Sequence, residues 1–129
     1  MQAKIGGTLR ICKAVNLRPL PNPYNDPYNG IFGATLEDPN FWIVLNFPIS
    51  EGLGTYLFGG ESNESSAWVE IIFDDLFDPN NRSYRATSGS VTVTESTGNS
   101  YKGTFSFSTV EIHDSEQLSV TEGIFQIEF

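Results

Sequence analysis

Three groups of residues have types and spacings that could do chemistry. The first is Asp74-Asp75-x-x-Asp78-x-Asn80-Asn81, which crowds hard oxygen donors into one stretch. Loops bind Ca²⁺ with such donors, and Asp75, Asp78 and Asn80 are the candidate ligands. Against this, Asp, Pro and Asn also build turns by bonding to their own backbone. The spacing is not that of an EF-hand, so the expectation is a turn and no cofactor, with calcium as the alternative.

The second group is aromatic. Asn22-Pro-Tyr-Asn25 is followed directly by Asp26-Pro-Tyr-Asn29, a small tandem repeat that should make two similar turns. It would present Tyr24 and Tyr28 alike, beside Asn25 and Asn29. With Trp42 and Trp68 these tyrosines are candidates for a sugar-stacking surface, because a flat ring covers the C–H face of a pyranose while nearby amides bind its hydroxyls. The plainer expectation is that both tryptophans pack in the core and both tyrosines pack their own loop.

The third is His113, the sole histidine, within Glu111-Ile-His-Asp-Ser-Glu116. Catalytic triads are assembled by fold geometry, so a cluster local in sequence has no such warrant, and a solvated turn is expected. Paired zinc-ligand spacing, a phosphate-binding glycine loop and a nucleophile elbow are all missing from the sequence. No catalytic residue is assigned and an enzyme is not expected. A small hydrolase using two carboxylates stays as an alternative, since pair separations cannot be read from sequence.

The elements that must position these residues are strands. Gly89-Ser-Val-Thr-Val-Thr94, Lys102-Gly-Thr-Phe-Ser-Phe-Ser108 and Gly123-Ile-Phe-Gln-Ile-Glu-Phe129 alternate apolar and polar residues with a period of two. Val91 and Val93, Phe105 and Phe107, and Phe125, Ile127 and Phe129 each mark one face. Gly89, Gly103 and Gly123 each precede such a run and are expected at turns or bulges. Earlier, Ala3 to Val15 reads as one strand bent at Gly6-Gly7, and Arg18 to Gly30 as a long loop. Ile31 to Glu37 and Phe41 to Phe47 form a predicted hairpin around Asp38-Pro39-Asn40. Phe41 to Phe47 is apolar on both faces, which suits a central strand or one that lines an interface. Gly54 to Gly59 and Ala67 to Phe73 are further strands, and Pro48 to Leu53 could form one short helical turn.

Length and composition agree. A chain of 129 residues suits one domain with its own core, and ten Phe, five Tyr and two Trp beside twelve Gly and seven Pro favour sheet and turns over helix. The predicted fold is all-β, an antiparallel two-layer β-sandwich or flattened barrel of about eight to ten strands, spanning residues 1–129 as one domain. A net charge of −9 opposes phosphate backbones, so nucleic acid is not an expected partner. The single Cys12 cannot form an intramolecular disulfide. No run has the length of a membrane span, and the stretch from Met1 to Gly7 lacks a signal-peptide core.

Tyr84-x-Ala-Thr-Ser-Gly-Ser-Val-Thr-Val-Thr94, Gly103-Thr-Phe-Ser-Phe107 and Val120-Thr-Glu-Gly-x-Phe125, with Ala3-Lys-Ile-Gly-Gly-Thr8 and Gly54-Thr-Tyr56, resemble a family of small, uncharacterised β-rich proteins of Bacteroidetes. Many of its members are exported lipoproteins. The resemblance covers about half of the chain and is made of Gly, Thr and Phe, which specify a fold more than a chemistry. It implies an exported β-sandwich at the outer membrane or cell surface, tethered through a lipidated cysteine ahead of the domain. Cys12, inside the first strand, does not fit that role, so any lipid tether would lie outside this sequence. The functional expectation is a non-catalytic binding or assembly module whose partner is a protein or a glycan. A carbohydrate-binding module is the first alternative, and a subunit that buries Trp42 or Trp68 against another chain is a further one.

Overall fold

The computed structural model describes residues 1–17, 29–37, 39–48, 52–59, 65–74, 77–97 and 100–128. Among these residues there are ten strands and no helix. They are β1 (Gln2–Ile5), β2 (Thr8–Ile11), β3 (Lys13–Leu17), β4 (Asn29–Ala34), β5 (Asn40–Phe47), β6 (Gly54–Leu57), β7 (Ser66–Ile72), β8 (Arg82–Ser96), β9 (Ser100–Glu111) and β10 (Gln117–Glu128). All belong to one sheet with the order β2-β1-β10-β9-β8-β7-β5-β4-β3, while β6 pairs with β8. Every ladder is antiparallel.

The sheet curls into a half-barrel, so the predicted two layers are two halves of one sheet folded towards each other. The strands at its two ends, β2 and β3, are consecutive in the chain and separated only by Cys12. The β1–β2 ladder runs on to this residue: Cys12 N–H donates to Met1 O at 2.8 Å, and the Met1 ammonium donates to Cys12 O at 3.2 Å. One extended N-terminal segment therefore joins both edges.

The predicted bend at Gly6-Gly7 is instead a hairpin turn. Both glycines have positive φ, 58° and 85°, the requirement of the two-residue turns that match strand twist. The predicted hairpin around residues 38–40 is β4–β5, with Ile31 opposite Leu45 and Gly33 opposite Ile43. As its two-sided apolarity implies, β5 is central, lying between β4 and β7.

Strand parity decides what faces inward. Phe41, Ile43, Leu45 and Phe47 of β5 pack with Val69 of β7, Val91 and Val93 of β8, Phe105 and Phe107 of β9, and Phe125 and Ile127 of β10. Ring contacts cross the interior: Phe47 lies 6.3 Å from Phe125 and 5.4 Å from Tyr56 between centroids, and Phe58 meets Phe107 edge-on at 5.7 Å. Each side chain of this kind, fully buried, contributes about 1.5–3 kcal/mol relative to leaving it exposed. In β10 the inward set runs Val120, Gly123, Phe125, Ile127, with three residues in the first step. A bulge there, with Glu122 at φ 52°, lets two residues oppose one and restores the parity.

Of the meander glycines, Gly123 closes the β10 bulge, as expected of it, whereas Gly103 departs from its predicted role. Gly103 lies inside β9 directly opposite Phe125, and Gly123 lies opposite Phe105, so two glycine–phenylalanine pairs face inward side by side. Gly89 does mark a kink: its φ is 123°, and a Cβ there would sit 2.3 Å from Ser106 O. The kink lies between the part of β8 that pairs with β7, Arg82 to Arg85, and the part that pairs with β6, Ser90 to Val93.

Candidate functional site: the outer aromatic face of β4, β5 and β7

The register places Trp42 opposite Glu70 and Val44 opposite Trp68, so both tryptophans stand on the same face of neighbouring strands, diagonal to each other. That face points away from the core. Neither tryptophan belongs to the inward cluster, and both are half-buried. The expectation of core packing is thus corrected: in β5 and β7 the inward positions are taken by Phe41, Ile43, Leu45 and Val69, and alternation sends Trp42 and Trp68 outward.

Phe32 completes the group. It sits opposite Val44 in the β4–β5 ladder, and its ring meets Trp42 edge-on, 5.2 Å between centroids at 84°. Beneath these rings Ala34 and Val44 are buried although they belong to the outer face. Glu70 stands beside Trp42, and Arg85 lies opposite Trp68 in the β7–β8 ladder. The Trp42 indole Nε1 is buried without a hydrogen-bond partner among the described residues. Such a donor gives up its bonds to water with nothing in return. Phe32 escaped the sequence reading, although its place between Ile31 and Gly33 in an alternating run was the signal that it faces outward.

Tyr24, Asn25 and Tyr28 lie outside the described residues, and Asn29 opens β4 opposite Phe47. Of the proposed calcium ligands, Asp75 is also outside them. Asp78 is engaged in its own turn, accepting Asn80 N–H at Oδ1 (2.8 Å) and Asn81 N–H at its carbonyl (3.1 Å). Asn81 Oδ1 in turn accepts Phe73 N–H at 2.8 Å, which closes the base of the loop. Among the described residues no three His, Cys, Asp or Glu side chains gather where they could hold a metal ion.

His113 is exposed on the turn between β9 and β10. The organising residue there is Glu111, which β9 parity turns inward and buries to 3 % exposure. Its Oε2 accepts the backbone N–H groups of His113 at 2.6 Å and Asp114 at 2.7 Å. Asp114 Oδ1 accepts Glu116 N–H at 2.9 Å, and Oδ2 pairs with Arg82. These interactions, the Glu116 amide first, hold the Asp114 carboxyl below its ordinary pKa, and Asp114 holds the Arg82 guanidinium above its own. Burial, then the charge of Glu116, raises the pKa of the Tyr84 phenol opposite Glu111.

A separate open groove of about 450 Å³ runs over the outer side of β1, β9 and β10, bordered by Gln2, Ile11, Thr104, Ile124 and Gln126. None of the candidate residues that the structure describes borders it.

The model of the domain of unknown function DUF6252 matches residues 35–127, from the end of β4 nearly to the end of β10. The chain belongs to the DUF6252 family. No curated protein and no solved structure matches it. The matched span contains nearly all of the C-terminal meander, where the resemblance to an uncharacterised family was strongest, and both Trp42 and Trp68. Within the described residues of this DUF6252 chain no helix is long and apolar enough to cross a membrane.

Proposed function

We propose that this DUF6252 chain is a non-catalytic binding module whose contact surface is the outer aromatic face of β4, β5 and β7, and that its ligand is a glycan. The observation that carries this reading is the register that sets Trp42 and Trp68 on one outward face beside Phe32. Large rings turned away from the core offer flat apolar area that keeps little conformational freedom to lose on binding. Glu70 and Arg85 at their sides supply an acceptor and donors for hydroxyl groups. The same reading sets the domain at the cell surface, among exported and lipid-tethered proteins of Bacteroidetes like those its Gly, Thr and Phe strands resemble.

The test is a glycan array followed by affinity electrophoresis on the retained polysaccharides. Trp68→Ala should weaken retention at least about tenfold while leaving the thermal transition cooperative. Absence of retention on every polysaccharide, or retention unchanged in both Trp68→Ala and Trp42→Ala, would remove the glycan reading.

A further inference from the structure

The end of the sheet formed by the β7–β8 loop and the β9–β10 turn carries a second contact surface, which meets the aromatic face at Glu70. Phe77 at the loop is 93 % exposed, Phe73 37 % and Ile112, on the neighbouring turn, 49 %. Three large apolar side chains so placed are costly to leave in water. They are set among acidic groups: Asp74, Asp114 and Glu116 are exposed, while Asp78 and Glu70 are half-buried. Among the described residues near them, Arg82 is already engaged by Asp114.

The two connections are braced against each other. Ile112 N–H donates to Ser83 O at 3.1 Å, Phe73 N–H to Asn81 Oδ1 at 2.8 Å, and the buried Glu111 carboxylate holds the turn from within. Between them lies a groove of about 160 Å³ with Ile72 and Ile112 as apolar walls and Glu70 as its carboxylate; His113 and Arg82 also border it, the Arg82 guanidinium paired with Asp114. An alkyl stem ending in a cation fits those walls, as lysine and arginine stems lie on apolar surface while their heads reach an anion.

We propose that this end docks a basic protein segment, one that places a Lys or Arg stem in the Glu70 groove and apolar side chains against Phe77 and Phe73. Charge selects this occupant over the others. A second copy of the chain would bring like-charged ends together under a net charge of −9 for each. A membrane with anionic headgroups would be repelled by the same carboxylates.

The test uses the intact chain and two end-capped hexapeptides, one alternating Lys and Leu and one alternating Glu and Leu, followed by amide chemical-shift mapping. The Lys-Leu peptide should shift amides of residues 70–74, 77–83 and 111–116, with affinity that falls at least about fivefold between low and moderate salt. Phe77→Ser, at an exposed site and hence folded, and Glu70→Gln should each weaken it at least about fivefold. Four outcomes would overturn the proposal: no shifts up to about millimolar peptide, shifts confined to other surfaces, equal binding of the Glu-Leu peptide, or binding unchanged in Phe77→Ser. Phe77-dependent sedimentation with phosphatidylcholine vesicles and no peptide binding would make this end a lipid contact instead.

Discussion

Phe125 lies across from Gly103 in the β9–β10 ladder, and its ring occupies the space into which a side chain at 103 would grow. A Cβ on Gly103 would meet Phe125 Cζ at 2.5 Å and the Thr92 carbonyl oxygen at 2.2 Å. The neighbouring pair reverses the arrangement: a Cβ on Gly123 would meet only ring atoms of Phe105, at 2.5–2.6 Å, as its nearest neighbours.

These two glycines should therefore respond differently to repair. Gly103→Ala and Gly123→Ala are each expected to destabilise the fold by about 1–3 kcal/mol, the range for overpacking. Combining Gly123→Ala with Phe105→Leu should recover part of the loss, because the obstructing atoms are side chain. Combining Gly103→Ala with Phe125→Leu should recover little, because the Thr92 carbonyl remains. Urea denaturation of the two double-mutant cycles reads the difference as a coupling energy, and equal recovery in both would contradict these contacts.

Asp114 gives the fold an acid dependence. Its folded pKa lies below the ordinary carboxylate value, so the stability it supplies is present above the unfolded pKa of about 3.9 and is lost as pH falls through the folded one. Asp114→Asn should thus lower the denaturation midpoint at pH 6 and converge with the parent as pH is brought to 3 and below. A constant difference across that window would show that the carboxylate charge is not what stabilises the turn.

Trp42→Phe should be mild. The indole N–H is buried with no acceptor among the described residues, so its removal should break no hydrogen bond, and the edge contact with Phe32 can be kept by a phenyl ring. We expect a loss under about 1 kcal/mol for Trp42→Phe and about 3 kcal/mol for Trp42→Ala. A large loss in Trp42→Phe, measured by thermal and urea unfolding, would show that the indole N–H has a partner.

The Cys12 thiol should be slow to react. It is buried, and burial raises its pKa above the ordinary value, with Glu37 adding to the rise and the N-terminal ammonium opposing it. At pH 8 its reaction with an aromatic disulfide reagent should be far slower in the folded chain than in denaturant. Equal rates would mean that the β1–β2 ladder opens freely at Cys12.

The fold was legible in the sequence where alternation was strict. Parity placed Val91, Val93, Phe105, Phe107, Phe125 and Ile127 inward, and the two-sided β5 at the centre. Parity also carried a message that was not drawn out: continued along β9 it reaches Thr109 and Glu111, both buried. Neighbour identity was not legible, because a period of two says which residues face the core and nothing about which strand lies alongside. Hence the change of partner along β8 and the joining of both sheet edges by one segment escaped the reading. The Gly6-Gly7 pair was misjudged for a similar reason, since bulges and two-residue turns need the same backbone freedom. Of the candidate site, both tryptophans were named, but their meeting on one face depends on the β5–β7 register, which sits in no local pattern.

The arrangement of the first strands bears on how the domain can be cut. A fragment starting at residue 35, where the family match begins, would lose β1 from the side of β10 and β4 from the side of β5. It would leave two bare ladders of unpaired amides and carbonyls, the twelve-residue β10 and the eight-residue, largely apolar β5. Such edges recruit other chains, so that fragment should accumulate as intermolecular sheet. The N-terminal segment thus acts as a hem for the rest of the molecule, keeping neighbouring copies from stitching onto it.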